Sequence, residues 1–232
     1  MGKRTRISKK SLKHDALLET TAKGTRFLEE IIEHHLNKVL IGSAAVVVVV
    51  IVVALVIRGQ NAAEMQANAR LMTAGQTASA GLLAQAAQEY EQIIATYPGT
   101  RSAGAATCYL GSIYFQQKQY DEALANFQTY LDRYGPSGNL GRVALEGKAS
   151  VLEQRRQFTE AADIYRELAR QSKDLASSAS RYLADAMRCH RSANDWEGVA
   201  LIAQEIIDQY PDTLGESLAR TNLAEAQAFL GG

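Results

Sequence analysis

The 232-residue sequence lacks most of the patterns by which enzymes and metalloproteins are recognised. It has no glycine-rich phosphate loop, no HExxH and no GxSxG. Three of its four histidines precede residue 38, so a hydrolytic triad would depend on His190, which we expect on a helix surface. Cys108 and Cys189 form no CxxC, which argues against a zinc knuckle and favours two buried free thiols. These absences predict a protein that is not an enzyme and has no metal, cofactor or small-molecule substrate.

Proline and strand-like alternation are also scarce. Only three prolines occur, Pro98, Pro136 and Pro211, and each stands where a helical pattern ends. No run alternates apolar and polar residues as a half-buried strand would. The sequence therefore predicts the all-α fold class.

Charged side chains are absent from residues 39–57, between Lys38 and Arg58. A helix of that length rises about 28 Å, close to the thickness of a bilayer's hydrocarbon core. Lipid offers the backbone no hydrogen-bond partner but itself, so the nine valines of this run do not prevent a helix. The run predicts a transmembrane helix over residues 38–58. A cleaved signal peptide is disfavoured, because its apolar core and its basic leader are both shorter.

The two flanks of this run differ in charge. Residues 1–38 hold nine Lys or Arg against five Asp or Glu, whereas residues 59–232 hold 15 basic and 20 acidic residues. The basic side of a single span normally stays in the cytoplasm. We therefore expect a cytoplasmic N-terminus and a larger C-terminal part outside the cytoplasm.

The leader divides into two segments. Residues 1–14 are predicted to be a basic disordered tail. Residues 15–37 are predicted to be an amphipathic juxtamembrane helix, because apolar residues recur at spacings of three and four. One alternative is that the tail contacts the ribosome or a nucleic acid; it is disfavoured because no aromatic residue interleaves the charges.

The part after residue 58 repeats itself. Residues 59–80 are predicted to be a helical connector, which overlaps a repeat domain over residues 67–232. Four small residues, spaced by 37, 38 and 38, mark equivalent positions in four units: Ala86, Ala123, Ala161 and Val199. A small residue lets two helices pack closely, and an aromatic residue four positions later fills the space between pairs. We expect four helix pairs followed by a capping helix over residues 214–230.

The unit from about Gly104 resembles the tetratricopeptide repeat. The positions that carry this resemblance are Leu110, Gly111, Tyr114, Ala123, Phe127 and Pro136. Thr107 departs from it, since the family has a tryptophan there. The order of leader, span and repeat domain also resembles the ancillary Sec-translocon subunit family of Gram-negative bacteria. That resemblance implies a single-pass protein of the bacterial inner membrane with a periplasmic C-terminal domain, and translocon or envelope-complex subunits as partners.

The repeat resemblance implies a protein-binding groove lined by the first helix of each pair. The predicted lining residues are Ser112, Phe115, Glu146, Ser150, Glu153, Arg181, Arg188 and Arg191. The three arginines share one helix face and could bind carboxylates, including a peptide's C-terminus. The alternative is that they pair with neighbouring glutamates.

Together these features predict a membrane-anchored helical-repeat scaffold that binds proteins or peptides on the extracytoplasmic side, as an accessory to secretion or envelope assembly. The lipid bilayer is the expected partner of residues 39–57, and nucleic acid is disfavoured. The second alternative is a structural subunit of a larger membrane complex, because Gly42, Ser43, Ala44 and Ala45 would permit close helix packing in the span.

Overall fold

The computed structural model describes the backbone of residues 9–231 and the side chains of residues 38 and 40–231. Every regular element within residues 9–231 is an α-helix, which confirms the predicted fold class. The helices are α1 (Lys9–Ser79), α2 (Leu83–Thr96), α3 (Arg101–Gln116), α4 (Tyr120–Tyr134), α5 (Gly138–Gln154), α6 (Phe158–Gln171), α7 (Ala176–Ser192), α8 (Trp196–Gln209) and α9 (Leu214–Leu230). The chain forms two compact units, residues 1–60 and residues 61–232.

The first unit contains the beginning of α1. Helix α1 starts at Lys9, so residues 9–14, which the sequence assigned to a disordered tail, are helical. Lysine and leucine are good helix formers, and neither proline nor glycine interrupts them there. The tail's residues 1–8 and the predicted apolar face of residues 15–37 lie outside the residues and side chains that the structure describes.

The apolar run lies on α1. Among the described residues, one helix is long and apolar enough to cross a membrane, within Leu40–Ser79. The side chains from Leu40 to Ile57 are exposed. A helix whose whole circumference is apolar has no polar face to turn to water, which is the pattern of a span.

The second unit is built from helix pairs. The end of α1 pairs with α2, and the following pairs are α3 with α4, α5 with α6, and α7 with α8. Helix α9 packs against both α7 and α8. This is the predicted arrangement of four pairs and a final single helix.

The predicted small residues lie in the buried interior of the repeat domain. Ala86, Ala123, Ala161 and Val199 are each 0% exposed. The aromatic residues four positions later are also buried in the first three pairs: Tyr90, Phe127 and Tyr165. The periodicity in the sequence therefore reports a real packing rule, since only a small side chain leaves room for the aromatic one.

The turn inside each pair has the same geometry in all four pairs. One residue adopts a left-handed conformation, with φ between 58° and 81°: Gly81, Lys118, Arg156 and Asn194. The next residue's N–H donates back to a carbonyl of the preceding helix, at distances of 2.9–3.2 Å. This is the Schellman pattern, for which glycine and then asparagine are the favoured residues.

Lys118 is one of the two positions where this turn carries a residue poorly suited to it. We expect Lys118→Gly to raise the free energy of unfolding by about 0.5–1 kcal/mol, because relief of left-handed strain outweighs the added entropy of the unfolded chain. Urea denaturation followed by circular dichroism would measure it. Gly81→Lys, at the equivalent turn, is the matched control and should change stability in the opposite direction. A loss of stability in Lys118→Gly would contradict the expectation.

Candidate protein-binding surface

The predicted arginine face lies on α7 and meets two glutamates of α5. Arg181 Nη2 donates to Glu146 Oε1 at 3.0 Å. Arg188 forms an ion pair with Glu153, and its Nη2 also donates to Asp185 at 3.1 Å. Because residues seven apart on a helix lie two turns apart on one face, the α5 and α7 pairs align along the two helices.

Two tyrosine hydroxyls complete this network. Tyr165 donates to Glu153 Oε1 at 2.7 Å, and Tyr182 donates to Glu146. The guanidinium carbon of Arg181 lies 4.1 Å from the centroid of the Tyr182 ring, a cation–π distance. Burial, followed by the bond to the glutamate, raises the pKa of each tyrosine, so both remain donors at neutral pH. The glutamates are thus satisfied from within the domain.

The charged groups of this network shift one another's pKa. The hydrogen bond to Glu153 raises the pKa of Arg188 above its usual range despite partial burial. Burial raises the pKa of Asp185, while the nearby Arg188 and Arg181 lower it in part. Arg188 is therefore fixed as a cation that balances two half-buried carboxylates.

The remaining predicted lining residues lie in other surroundings. Arg191 Nη2 donates to Glu225 on α9 at 2.7 Å. Ser150 donates to the Glu146 carbonyl oxygen at 2.9 Å. Phe115 is half-buried, with its ring centroid 5.7 Å from that of Tyr120 in the same helix pair. All three arginines are therefore ion-paired, as the alternative interpretation of this face expected.

An open cleft lies elsewhere in the second unit, between the end of α1, α2 and α3. Its volume is about 770 Å³, and Ser112 is the one predicted lining residue that borders it. Its apolar lining includes Met72, Leu83, Tyr109 and Ile113. Sequence reasoning missed this cleft, because helical spacing shows which residues share a face and not which two faces meet.

Glu64 joins α1 to the start of α3, two of the helices that border the cleft. Its carboxylate accepts hydrogen bonds from the N–H groups of Arg101, at 2.7 Å, and Ser102, at 3.1 Å, at the start of α3. It also accepts from Ser102 Oγ at 2.6 Å. A carboxylate at a helix N-terminus satisfies free N–H groups and interacts favourably with the helix dipole. Glu64 is thus a positioning residue that only the tertiary structure shows.

The cysteine and histidine side chains of the second unit are buried or nearly buried in the packed interior. Cys108 and Cys189 are buried free thiols, and burial raises the pKa of each to about 12. The His190 side chain is 13% exposed, so its predicted surface position is wrong. Its Nδ1 lies 2.7 Å from Asp195 Oδ2, because Asp195 caps α8 beside it. Within the described residues, no group of three His, Cys, Asp or Glu side chains could hold a metal ion.

Comparisons with known proteins agree with this architecture. The family model of the tetratricopeptide repeat matches residues 109–137. A tetratricopeptide repeat protein from Parabacteroides merdae has a similar structure, with a TM-score of 0.58 and 14% identity, over 70% of this chain and 60% of that one. This chain thus spans less than two thirds of that protein.

Two further structures are similar. The nearly identical TPR-like repeats of a protein from Podosopora anserina, described as a kinesin light chain, give a TM-score of 0.56 at 15% identity, covering 72% of this chain and 88% of theirs. The MamA RS-1 ArsTM double mutant gives 0.52 at 12% identity, covering 71% and 96%. A comparison with curated proteins found no match.

Repeats of this type generally bind proteins or peptides and typically serve as non-catalytic scaffolds. At the identities found, the structural similarities establish the fold. The helix pairs and the structural similarities therefore establish an all-α solenoid of the tetratricopeptide type, in which residues 109–137 match the model of that repeat.

Proposed function

We propose that this chain is a single-pass protein of the bacterial inner membrane that presents a protein-binding repeat scaffold in the periplasm. Its role is accessory to secretion or envelope assembly, through contacts with translocon or envelope-complex subunits. The observation that carries the proposal is an exposed, uncharged helical run, Leu40 to Ile57, on the same helix that ends in the first repeat.

The orientation follows from charge. The leader carries an excess of four positive charges before the run, and the part after Arg58 carries an excess of five negative charges. Positive loops are retained in the cytoplasm, so the repeats are placed outside it.

The binding role follows from the repeats. Stacked helix pairs form an extended surface from the first helices of the pairs, here α3, α5 and α7. We place the partner surface there, on the predicted residues Ser112, Phe115, Glu146, Ser150, Glu153, Arg181, Arg188 and Arg191. A partner carboxylate would reach the arginines by exchanging with the ion pairs already formed.

The orientation has a direct test. We expect alkaline phosphatase fused after Gly232 to be active in a Gram-negative host and green fluorescent protein at the same position to stay dark, since each reports one side of the membrane. Phosphatase fused after Lys38 is the control and should be inactive. Fluorescence without phosphatase activity at Gly232 would reverse the proposed topology. A shorter mature chain lacking the leader would show that the run is a cleaved signal.

A second candidate function is a structural subunit of a larger membrane complex. The exposed small residues Gly42, Ser43, Ala44 and Ala45 favour it, because a Cβ added at Gly42 would meet nothing within 4 Å. Crosslinking in native membranes followed by mild extraction would separate the two. A complex of fixed stoichiometry that breaks when Gly42 is changed to leucine supports the subunit role, and variable partners captured through the repeats support the scaffold.

A further inference from the structure

The cleft between α1, α2 and α3 differs from the rest of the first-helix surface in its charge. The side chains that line it include no Asp, Glu, Lys, Arg or His, whereas the α5–α7 face is a network of ion pairs. Met72 is 63% exposed and Tyr109 is 40% exposed on its rim. Desolvating an ionised group there would find no compensating charge, so the cleft disfavours charged occupants.

Hydrogen-bonding groups of the cleft stand without partners. Tyr90 is 3% exposed, and its hydroxyl has no hydrogen-bond partner among the described residues. The same holds, within that part of the chain, for the Tyr109 hydroxyl and the carboxamides of Gln76 and Gln116. Of the eight other tyrosines, six have hydroxyls that make hydrogen bonds to described residues. These groups border the open cleft and their hydrogen-bonding capacity is not used by the protein, so an occupant of the cleft can bind them.

The uncharged apolar lining and the free hydrogen-bonding groups of the cleft together favour one kind of occupant. An apolar floor favours apolar side chains, and a carboxamide both donates and accepts, which matches a peptide group. A helix has already paired most of its backbone groups, whereas an extended segment has not. The volume of about 770 Å³ is within the usual range of roughly 300–1,000 Å³ for binding sites.

We infer that this cleft binds an extended, apolar and uncharged polypeptide segment of a partner protein. The inference rests on the proposed scaffold function and names the partner class of its accessible site. Met72, Ile113 and the two tyrosine rings contact the segment's side chains, and Gln76 and Gln116 bind its backbone. Within the proposed partner surface, this segment uses the cleft beside Ser112 and does not need the arginine face of α7.

The test uses the full chain in phosphatidylcholine nanodiscs and capped ten-residue peptides that carry a neutral coumarin label. One peptide contains only Val, Leu, Ala, Ser and Gly; two others replace two residues by Asp or by Lys; a fourth is N-methylated at alternate positions. Fluorescence anisotropy, with empty nanodiscs subtracted, gives the affinities. The uncharged peptide should bind about tenfold or more tightly than the other three.

The variants locate the site. Gln116→Glu is nearly isosteric and should weaken the uncharged peptide about tenfold, and Met72→Glu should do the same. Gln88→Glu, on the exposed face of α2 and outside the cleft, is the matched control and should leave binding unchanged. Unfolding midpoints of all three should equal that of the unchanged chain.

Several results would overturn the inference. If the N-methylated peptide binds as tightly as the uncharged peptide, the cleft does not recognise the peptide backbone. Binding lost in Arg188→Met but kept in Gln116→Glu would move the site to the arginine face and leave the scaffold proposal standing. Self-association of the chain that Met72→Glu abolishes would make a second copy the occupant. No binding of any peptide would reject the cleft as a peptide site, while crosslinked partners in membranes would still support the scaffold.

Discussion

Replacing Phe127 by alanine is expected to lower the free energy of unfolding of the repeat domain by about 3–5 kcal/mol. The side chain is 1% exposed and belongs to a cluster with Cys108, Ala123 and Val151. A Cβ built on Gly111 would lie 3.0 Å from its ring, so the ring already fills the available space. The helices around it are α3, α4 and α5, and their neighbouring alanines are too small to collapse into the cavity.

Urea unfolding of the variant, followed by circular dichroism, would measure this loss. In a solenoid each pair is stabilised by its neighbours, so the transition should also broaden as the second and third pairs uncouple. The control is Phe229→Ala, because Phe229 is 60% exposed and stacks on Trp196 at 4.1 Å. We expect that change to lower the free energy of unfolding by about 0.5–1.5 kcal/mol. Equal losses in the two variants would show that Phe127 does not join the pairs.

Gly147→Ala probes the same contact from the other side. Its added Cβ would overlap the Phe127 ring, so we expect a loss of about 1–3 kcal/mol, against the usual gain for alanine in a helix. Gly75→Ala is the matched change, since its nearest atom would be the Tyr90 hydroxyl at 3.9 Å. The loss at Gly147 should shrink in a Phe127→Leu background, because the two sites share one volume.

Replacing Arg188 by methionine is expected to lower the free energy of unfolding by about 2 kcal/mol at pH 7. Removing one member of a buried ion pair costs about 3–5 kcal/mol, and we reduce that figure because the Arg188 side chain is 52% exposed. Methionine keeps the apolar stem, so the change isolates the charge. It leaves Glu153, 14% exposed, without its cation, and Asp185, 25% exposed, with only Arg181 at 3.5 Å.

The loss of stability in Arg188→Met should depend on pH. A carboxyl whose pKa is higher in the folded state than its ordinary value of 3.8 binds protons more readily when folded, so its contribution to stability declines as pH rises. Burial already raises the pKa of Asp185, and losing Arg188 should raise it further. The difference between Arg188→Met and the unchanged chain should therefore be largest near pH 7 and shrink towards about pH 4.

Chemical denaturation across that pH range is the measurement. Arg170→Met is the control, because the Arg170 side chain is 66% exposed and pairs with Glu167 one turn away on the same helix. We expect the control to lower the free energy of unfolding by less than about 0.5 kcal/mol. A pH-independent loss at Arg188 would mean that packing of the stem, and not balance of charge, is what the arginine provides.

Particular residues show how far sequence reasoning reaches here. The spacing of Ala86, Ala123 and Ala161 predicted both the pairing of helices and the buried aromatic residues beside them, because close packing of two helices constrains residue size at fixed intervals. The shared face of Arg181 and Arg188 was predicted from helical periodicity alone. Which glutamates pair with these arginines was not predicted, since Glu146 and Glu153 lie on another helix pair, 35 residues away.

The sequence by itself determined the all-α class, the four helix pairs with a final helix, and a run apolar enough to cross a membrane. The class and the apolar run depend on local periodicity and composition, and the helix pairs depend on a spacing of 37 and 38 residues that is visible along the sequence. Only the tertiary structure decided that the arginines are engaged in ion pairs, that Glu64 caps α3, and that an uncharged cleft lies open beside Tyr90 and Tyr109. Those features depend on which faces meet across different pairs, and that is set by the packing of the whole domain.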